Sequence, residues 1–320
     1  MPLWLSEADV RAVLAPAELI GIMERALAAF SAGRIDQPVR TAMQIGDRSF
    51  FALMPAFDHE AAVLGAKLVT IVPPNAVRGL DTHLAAISLF DAETGELAAI
   101  MDGRYITEIR TAAASAVSTR YLAREDAAVL AILGSGVQAH SHLAALTTAR
   151  LFTEIRAWSP TRAHLERFAA EAGLRAAASA EEAVRGADVV VVATSAVTPA
   201  IRGEWVAPGA HVIAIGACRP DQSELDPALV ARAHVVVDSR TAALQESGDI
   251  VQPIRNGLFA ADHVRAEIGE IVAGTKPGRC DAHEVTLFKS LGLAIEDVTA
   301  AAVALRRARE AGRGILLTLT

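Results

Sequence analysis

Residues 128–133 form an apolar run that passes directly into Gly134-Ser135-Gly136-Val137-Gln138-Ala139, and a helical stretch follows through residues 140–148. Glycines in a strand-to-helix turn let the backbone approach a phosphate closely, and the amides at the helix N-terminus favour its negative charge. The spacing is the GxGxxA form of a dinucleotide-binding turn, and it opens an alternating strand-and-helix pattern, the context that gives such a motif meaning. Some way on, at about the 20-residue distance where an acidic side chain would bind the ribose 2′-hydroxyl of NAD(H), the chain reads Trp158-Ser159-Pro160-Thr161-Arg162. No carboxylate is present. Ser159, Thr161 and Arg162 offer hydroxyls and a guanidinium suited to a 2′-phosphate, so NADP(H) is favoured over NAD(H). Thr194, Ser195, Gly216 and Cys218 complete the expected cofactor-binding set.

Only three of the 30 basic residues are lysines: Lys67, Lys276 and Lys289. Lys67 lies in Ala62-Val63-Leu64-Gly65-Ala66-Lys67-Leu68-Val69-Thr70-Ile71-Val72, a setting that would desolvate an ammonium and lower its pKa toward the range useful for proton transfer. The plain alternative is an edge-strand lysine pointing at water.

The elements that must position these residues follow from length and pattern. At roughly 150 residues per domain, 320 residues predict two domains, and 52% hydrophobic with 21% charged residues excludes disorder and small disulfide scaffolds. The net charge is −7 with basic residues scattered, so nucleic acid is not an expected partner. Cys218 and Cys280 lack any CxxC or Cys/His spacing, which fits a reducing, cytoplasmic compartment and speaks against a structural zinc. The first residues carry no signal-like pattern, and no apolar run nears the ~18 residues of a membrane span.

Helical spacing over residues 17–32 gives way to extended pieces at 39–45, 49–55, 67–72, 84–90 and 97–101, which predict an antiparallel sheet. An alanine-rich helix over 105–122 is expected to bridge two domains. Short apolar strands then alternate with helices at 128–133, 155–158, 189–193, 211–215 and 234–237, the pattern of a parallel sheet covered on both faces. A last helix over 295–311 is expected to return to the first domain.

Gly79-Leu80-Asp81-Thr82-His83, the run from Leu89 to Glu96, Glu108-Ile109-Arg110-Thr111-Ala112-Ala113, the glycine turn and Leu287-Phe288-Lys289-Ser290-Leu291-Gly292 occur in order along nearly the whole chain. Together they resemble the ornithine cyclodeaminase/mu-crystallin family. The resemblance implies an α/β homodimer in which a Rossmann parallel-sheet domain, residues 121–292, is inserted in an α+β substrate-binding and dimerisation domain, residues 1–120 and 293–320. It implies chemistry at the C–N bond next to the α-carbon of amino or imino acids. On this resemblance Lys67 matches the family's catalytic lysine, a general acid or orienting charge at the substrate nitrogen. Arg40 and Arg110 fall where arginines hold the substrate α-carboxylate with a planar fork. Thr82, His83, Ser290 and Gly292 are further substrate-binding candidates.

One segment departs from the cyclodeaminase branch. That branch resembles a turn with an aspartate and, four residues on, a lysine, whereas Cys218 and Gln222 stand there in this chain. A glutamine does not titrate, and a thiol's pKa lies well above a carboxylate's, so the deaminating machinery is lost. With Arg219-Pro220-Asp221 the segment resembles the ketimine reductases. Cys218 reads as an ordinary small residue near the cofactor, Asp221 and Glu224 as starting a helix in preference to contacting substrate, and Ser290 equally as an N-cap. The expected activity is NADPH-dependent reduction of the C=N bond of small cyclic 2-imino acids. The alternatives are an alanine dehydrogenase-like dehydrogenation or reductive amination, ornithine cyclodeamination, and NADPH binding without catalysis.

Overall fold

The computed structural model describes residues 1–318. The chain folds as two compact units, one built from both ends (Met1–Arg110 and the residues from Leu293 onward) and one from Thr111–Gly292. The division falls inside the helix Arg104–Leu122 and not at the expected 120/121 boundary.

The first unit is a sheet of β1 (Leu3–Leu5), β2 (Ile35–Asp36), β3 (Thr41–Gly46), β4 (Ser49–Asp58), β5 (Val63–Ile71), β6 (His83–Phe90), β7 (Leu97–Asp102) and the C-terminal strand Ile315–Leu316. The pairing is antiparallel from β2 to β7, but β1 runs parallel to β7, which corrects the wholly antiparallel expectation. Strand alternation sends Ala52, Met54, Lys67, Val69 and Ile87 inward, and the helix Ala294–Glu310 packs against β4, β5 and β6. The opposite face carries Met43, Leu53, Leu68 and Leu84, linked through the β3–β6 ladder and exposed at 57%, 39%, 38% and 44%. β5 begins at Val63 instead of residue 67, so Lys67 stands mid-strand and its alternation is set by neighbours on both sides.

The second unit is an all-parallel sheet of β8 (Val129–Leu133), β9 (Glu154–Trp158), β10 (Arg175–Ala176), β11 (Val189–Val192), β12 (His211–Ala214), β13 (His234–Val237), β14 (Val264–Glu267) and β15 (Thr286–Lys289). Their spatial order is β10-β9-β8-β11-β12-β15-β13-β14. This is a doubly wound order that reverses between β8 and β11, the switch point where such sheets bind ligands. The strands β11, β12 and β15 are buried along their whole length, as strands covered on both faces must be. Two strands of this sheet go unread in the sequence: β10 has two residues, and β14 alternates with Arg265 and Glu267. Among the described residues no helix is long and apolar enough to cross a membrane.

Candidate functional site

In the first unit Lys67 points inward from β5 and is 2% exposed. Its Nζ donates to Oδ2 of Asp297 at 2.5 Å, while Arg110 donates from Nε to Oδ1 of the same carboxylate at 2.9 Å and from Nη1 to Glu296 at 2.6 Å. One carboxylate thus fixes both cations. Burial pulls the Lys67 pKa down to about 8; Asp297 opposes the fall, and the charges of Arg110 and Arg40 add to it. Asp297 itself is held below the usual carboxylate range: burial acts to raise it, and Arg110 and Lys67 outweigh burial. For Arg110 burial acts against the charge, but Asp297 and Glu296 carry its pKa above that of a free guanidinium.

His83 pairs with Ile71 across the ladder and so shares the inner face with Lys67. Burial, then the charges of Lys67 and Arg110, lower its pKa to about 4, which leaves a neutral imidazole. Thr82 is exposed and is tied in through its carbonyl, which accepts from the Val72 amide at 2.7 Å. The structure therefore brings Lys67, Arg40, Arg110 and His83 together. Asp297 and Glu296 are missing from the sequence-derived set, because two acids in the first turn of a helix look like an ordinary complement to its dipole.

In the second unit Gly134 and Gly136 have different jobs. Gly134 adopts φ +125°, and a Cβ there would run into the Ala193 carbonyl at the end of β11. Gly136 has open space where a Cβ would stand, and it begins the helix Val137–Ala149 with no side-chain cap on the first-turn amides. Room beside uncapped amides at the switch point is what a pyrophosphate requires, so the turn fits a dinucleotide. Val137 is exposed and Ala139 is buried under the turn; Gln138 is half-buried between them. Ser135 donates to Ser159 at 3.0 Å, joining the ends of β8 and β9. Thr161 is exposed, and Arg162 lies along its own helix with Nε 2.7 Å from Glu166.

Several residues are placed otherwise than the sequence suggests. Glu224 starts no helix: it is fully buried and accepts from Thr194, Gly216 and Ala217, while Asp226 caps the helix Pro227–Arg232. Asp221 is exposed and pairs with Arg219. Ser290 is no N-cap, since Leu293 holds that position. The Ser290 hydroxyl and the Gly292 amide both donate to Oδ2 of Asp238, at 3.1 and 2.6 Å, which ties the turn after β15 to the end of β13. Ser195 is exposed beyond β11, and Cys218 is half-buried with Sγ toward the Ile215 carbonyl.

A doubly wound sheet with this turn at its switch point has the architecture of a nicotinamide-dependent oxidoreductase, and the other unit gathers a buried lysine and two arginines. The chain belongs to the ornithine cyclodeaminase/mu-crystallin family, whose model matches residues 2–312. Ketimine reductase mu-crystallin of Rattus norvegicus is 44% identical over 307 residues, covering 94% of this chain and 95% of that protein. The structure of Thermococcus litoralis Δ1-pyrroline-2-carboxylate reductase in complex with NADH and L-proline superposes with a TM-score of 0.95 at 37% identity, covering 98% of this chain and 100% of that one. An archaeal alanine dehydrogenase dimer with bound NAD gives a TM-score of 0.95 at 32% identity over 100% and 99% of the two chains.

The contrast between the two glycines is testable. Gly136→Val is expected to leave the thermal melting temperature near wild type and to abolish nicotinamide dinucleotide binding in a calorimetric titration. Retained binding would remove the turn from the site.

Proposed function

We propose that the protein is an NADPH-dependent imine reductase that reduces the C=N bond of small cyclic 2-imino acids, Δ1-pyrroline-2-carboxylate and Δ1-piperideine-2-carboxylate, to L-proline and L-pipecolate. The observation that carries this reading is Lys67, a buried ammonium with a pKa of about 8, clamped by Asp297 and flanked by two arginines. The Gly134–Ala139 turn would hold a nicotinamide dinucleotide, which when bound would supply the hydride for the imine carbon.

The chain's own groups do the rest. Arg110, its plane fixed by Asp297 and Glu296, and Arg40 hold the substrate carboxylate. Lys67 carries the proton on Nζ and passes it to the substrate nitrogen; the desolvation that lowers its pKa favours that release, and Asp297 keeps the ammonium aimed. His83, neutral, supplies a polar wall without adding charge. The preference for NADP(H) is supported by the absent acid after β9 and by Arg162, whose exposed pairing with Glu166 is a weak contact that a 2′-phosphate would displace. The exposed apolar face of Met43, Leu53, Leu68 and Leu84 supports a homodimer, since faces of this kind mark protein contacts. Cys218 and Cys280 stand outside any CxxC or Cys/His spacing, which supports a cytoplasmic location.

Nicotinamide absorbance with each imine tests the reading. Turnover is expected with both, at a higher kcat/KM for NADPH than for NADH, and Lys67→Ala is expected to lose about 10²-fold or more in kcat with NADPH affinity unchanged. Ammonia release from ornithine with no imine turnover would overturn the proposal, as would pyruvate consumption that depends on added ammonia in place of imine reduction.

The sign of the pH dependence follows from the same lysine. The acid is competent while protonated, so kcat/KM stays level below about 8 and falls as pH rises through that value. Asp297→Asn removes the charge that holds the proton and should move the falling limb to lower pH. An unmoved limb would mean that another group titrates.

Sedimentation should show a dimer, and Leu53→Glu combined with Leu68→Glu a monomer.

A further inference from the structure

The second unit buries a charged cluster that the mechanism above does not use. Lys289, at the end of β15, and Glu224 are fully buried, and Asp249 is 1% exposed. Lys289 Nζ lies 3.2 Å from Oδ2 of Asp249 and 3.7 Å from Oε2 of Glu224. The Glu224 carboxylate is saturated with donors from two separate loops. Oε1 accepts from the Thr194 amide at 3.0 Å and its hydroxyl at 2.8 Å, and Oε2 accepts from the amides of Gly216 at 2.5 Å and Ala217 at 3.0 Å. Thr194 follows β11 and Gly216 follows β12. Asp249 in turn holds the segment that carries the glutamate, its Oδ1 accepting from the Ser223 hydroxyl and from the amides of Glu224 and Leu225 at 2.9 to 3.0 Å.

Three features give this arrangement a purpose beyond filling the interior. Buried ions are costly, and a hydrophobic trio of similar volume would hold a fold as well, so charge at this place asks for a use. The packing is also committed to the carboxylate: a Cβ on Gly216 would run into Glu224 Oε1 and the Thr194 carbonyl, so glycine is required where the carboxylate lies. Finally, in a doubly wound sheet the first mononucleotide-binding half, here β8 to β10, takes the adenosine and pyrophosphate, and the second half, which begins with β11 and β12, takes the other nucleoside. The loops that Glu224 ties together belong to that second half alone.

We propose that Glu224 is a positioning residue for the nicotinamide half of the cofactor, fixing the loops after β11 and β12 in one geometry, with Asp249 holding the backbone that carries it and Lys289 supplying the counter-charge. This rests on the reading that the second unit binds a nicotinamide dinucleotide. In Glu224→Gln the carboxamide NH2 turns donors toward loop amides that are themselves donors, so one loop must let go.

The test compares whole and half cofactor by calorimetry: NADPH and 2′,5′-ADP, or NADH and ADP-ribose if wild type prefers them. Glu224→Gln should bind the whole dinucleotide about tenfold or more weakly and bind the adenosine half as wild type does. Thr194→Val keeps the carboxylate and removes one donor, and should show the same selectivity at about threefold, which carries the test if Glu224→Gln does not fold. Equal loss for both probes, or no loss for either, overturns the proposal. A wild-type protein that binds neither probe overturns the cofactor reading itself, and this inference with it.

Discussion

An ammonium enclosed by protein is tolerable only beside a counter-charge, and Asp297 at 2.5 Å provides it for Lys67. The two residues are 230 positions apart, which constrains the whole chain. The strand that carries the lysine and the helix that carries the aspartate must belong to one unit, and everything between has to leave and come back. A second unit whose chain enters at Thr111 and exits at Gly292 meets that requirement. The C-terminal helix then covers the inner face of the first sheet, so the surface that buries Val69 and Ile87 also delivers Asp297 and Glu296 to the cations.

The second unit solves a different problem with the same chemistry. The C-terminal ends of parallel strands leave loops with unsatisfied amides, and in this sheet two buried carboxylates collect them. Glu224 takes those after β11 and β12, and Asp238, following β13, takes the amides of Leu291 and Gly292, both at 2.6 Å, after β15. The strand-end rim is therefore set by side chains whose geometry is fixed, not by flexible loop contacts. Such fixation suits a site that must present one face of a planar ring to a small substrate.

Much of this was legible in the sequence wherever the signal is local. The turn from Gly134 to Ala139 is a contiguous pattern with its own backbone logic, and Lys67 stands out because its neighbours are apolar and lysine is scarce. The buried helix segment around Ala112 to Ala116 follows from composition alone. What escaped depends on partners far away in sequence. Asp297 and Glu296 look like first-turn acids, Glu224 looks like a helix start, and Ser290 looks like a cap; each is decided by a partner brought in by tertiary packing. Lys289 belongs with them, since its burial against Asp249 and Glu224 is decided by residues 40 and 65 positions away.

The overall charge of −7 gives no guide to how an anion would be met, because the cluster in the first unit has its own balance. Lys67, Arg40 and Arg110 face Glu296 and Asp297, which leaves one positive charge in excess. His83 does not alter this, being neutral well above a pKa of about 4. A monocarboxylate imine would then enter as the matching anion. In the proposed reaction a proton moving from Lys67 to the substrate nitrogen would take the excess from the cluster and make the bound molecule a zwitterion, so the sum would be zero before and after the transfer. In a buried setting, where an uncompensated charge is expensive, that constancy keeps the electrostatic cost of the step small. A dianionic substrate would forfeit it, as would an additional cation such as a protonated His83. On the proposed function, the low proton affinity of His83 and the two carboxylates at the start of the C-terminal helix form one arrangement that suits a substrate with a single carboxylate and a nitrogen that gains a proton.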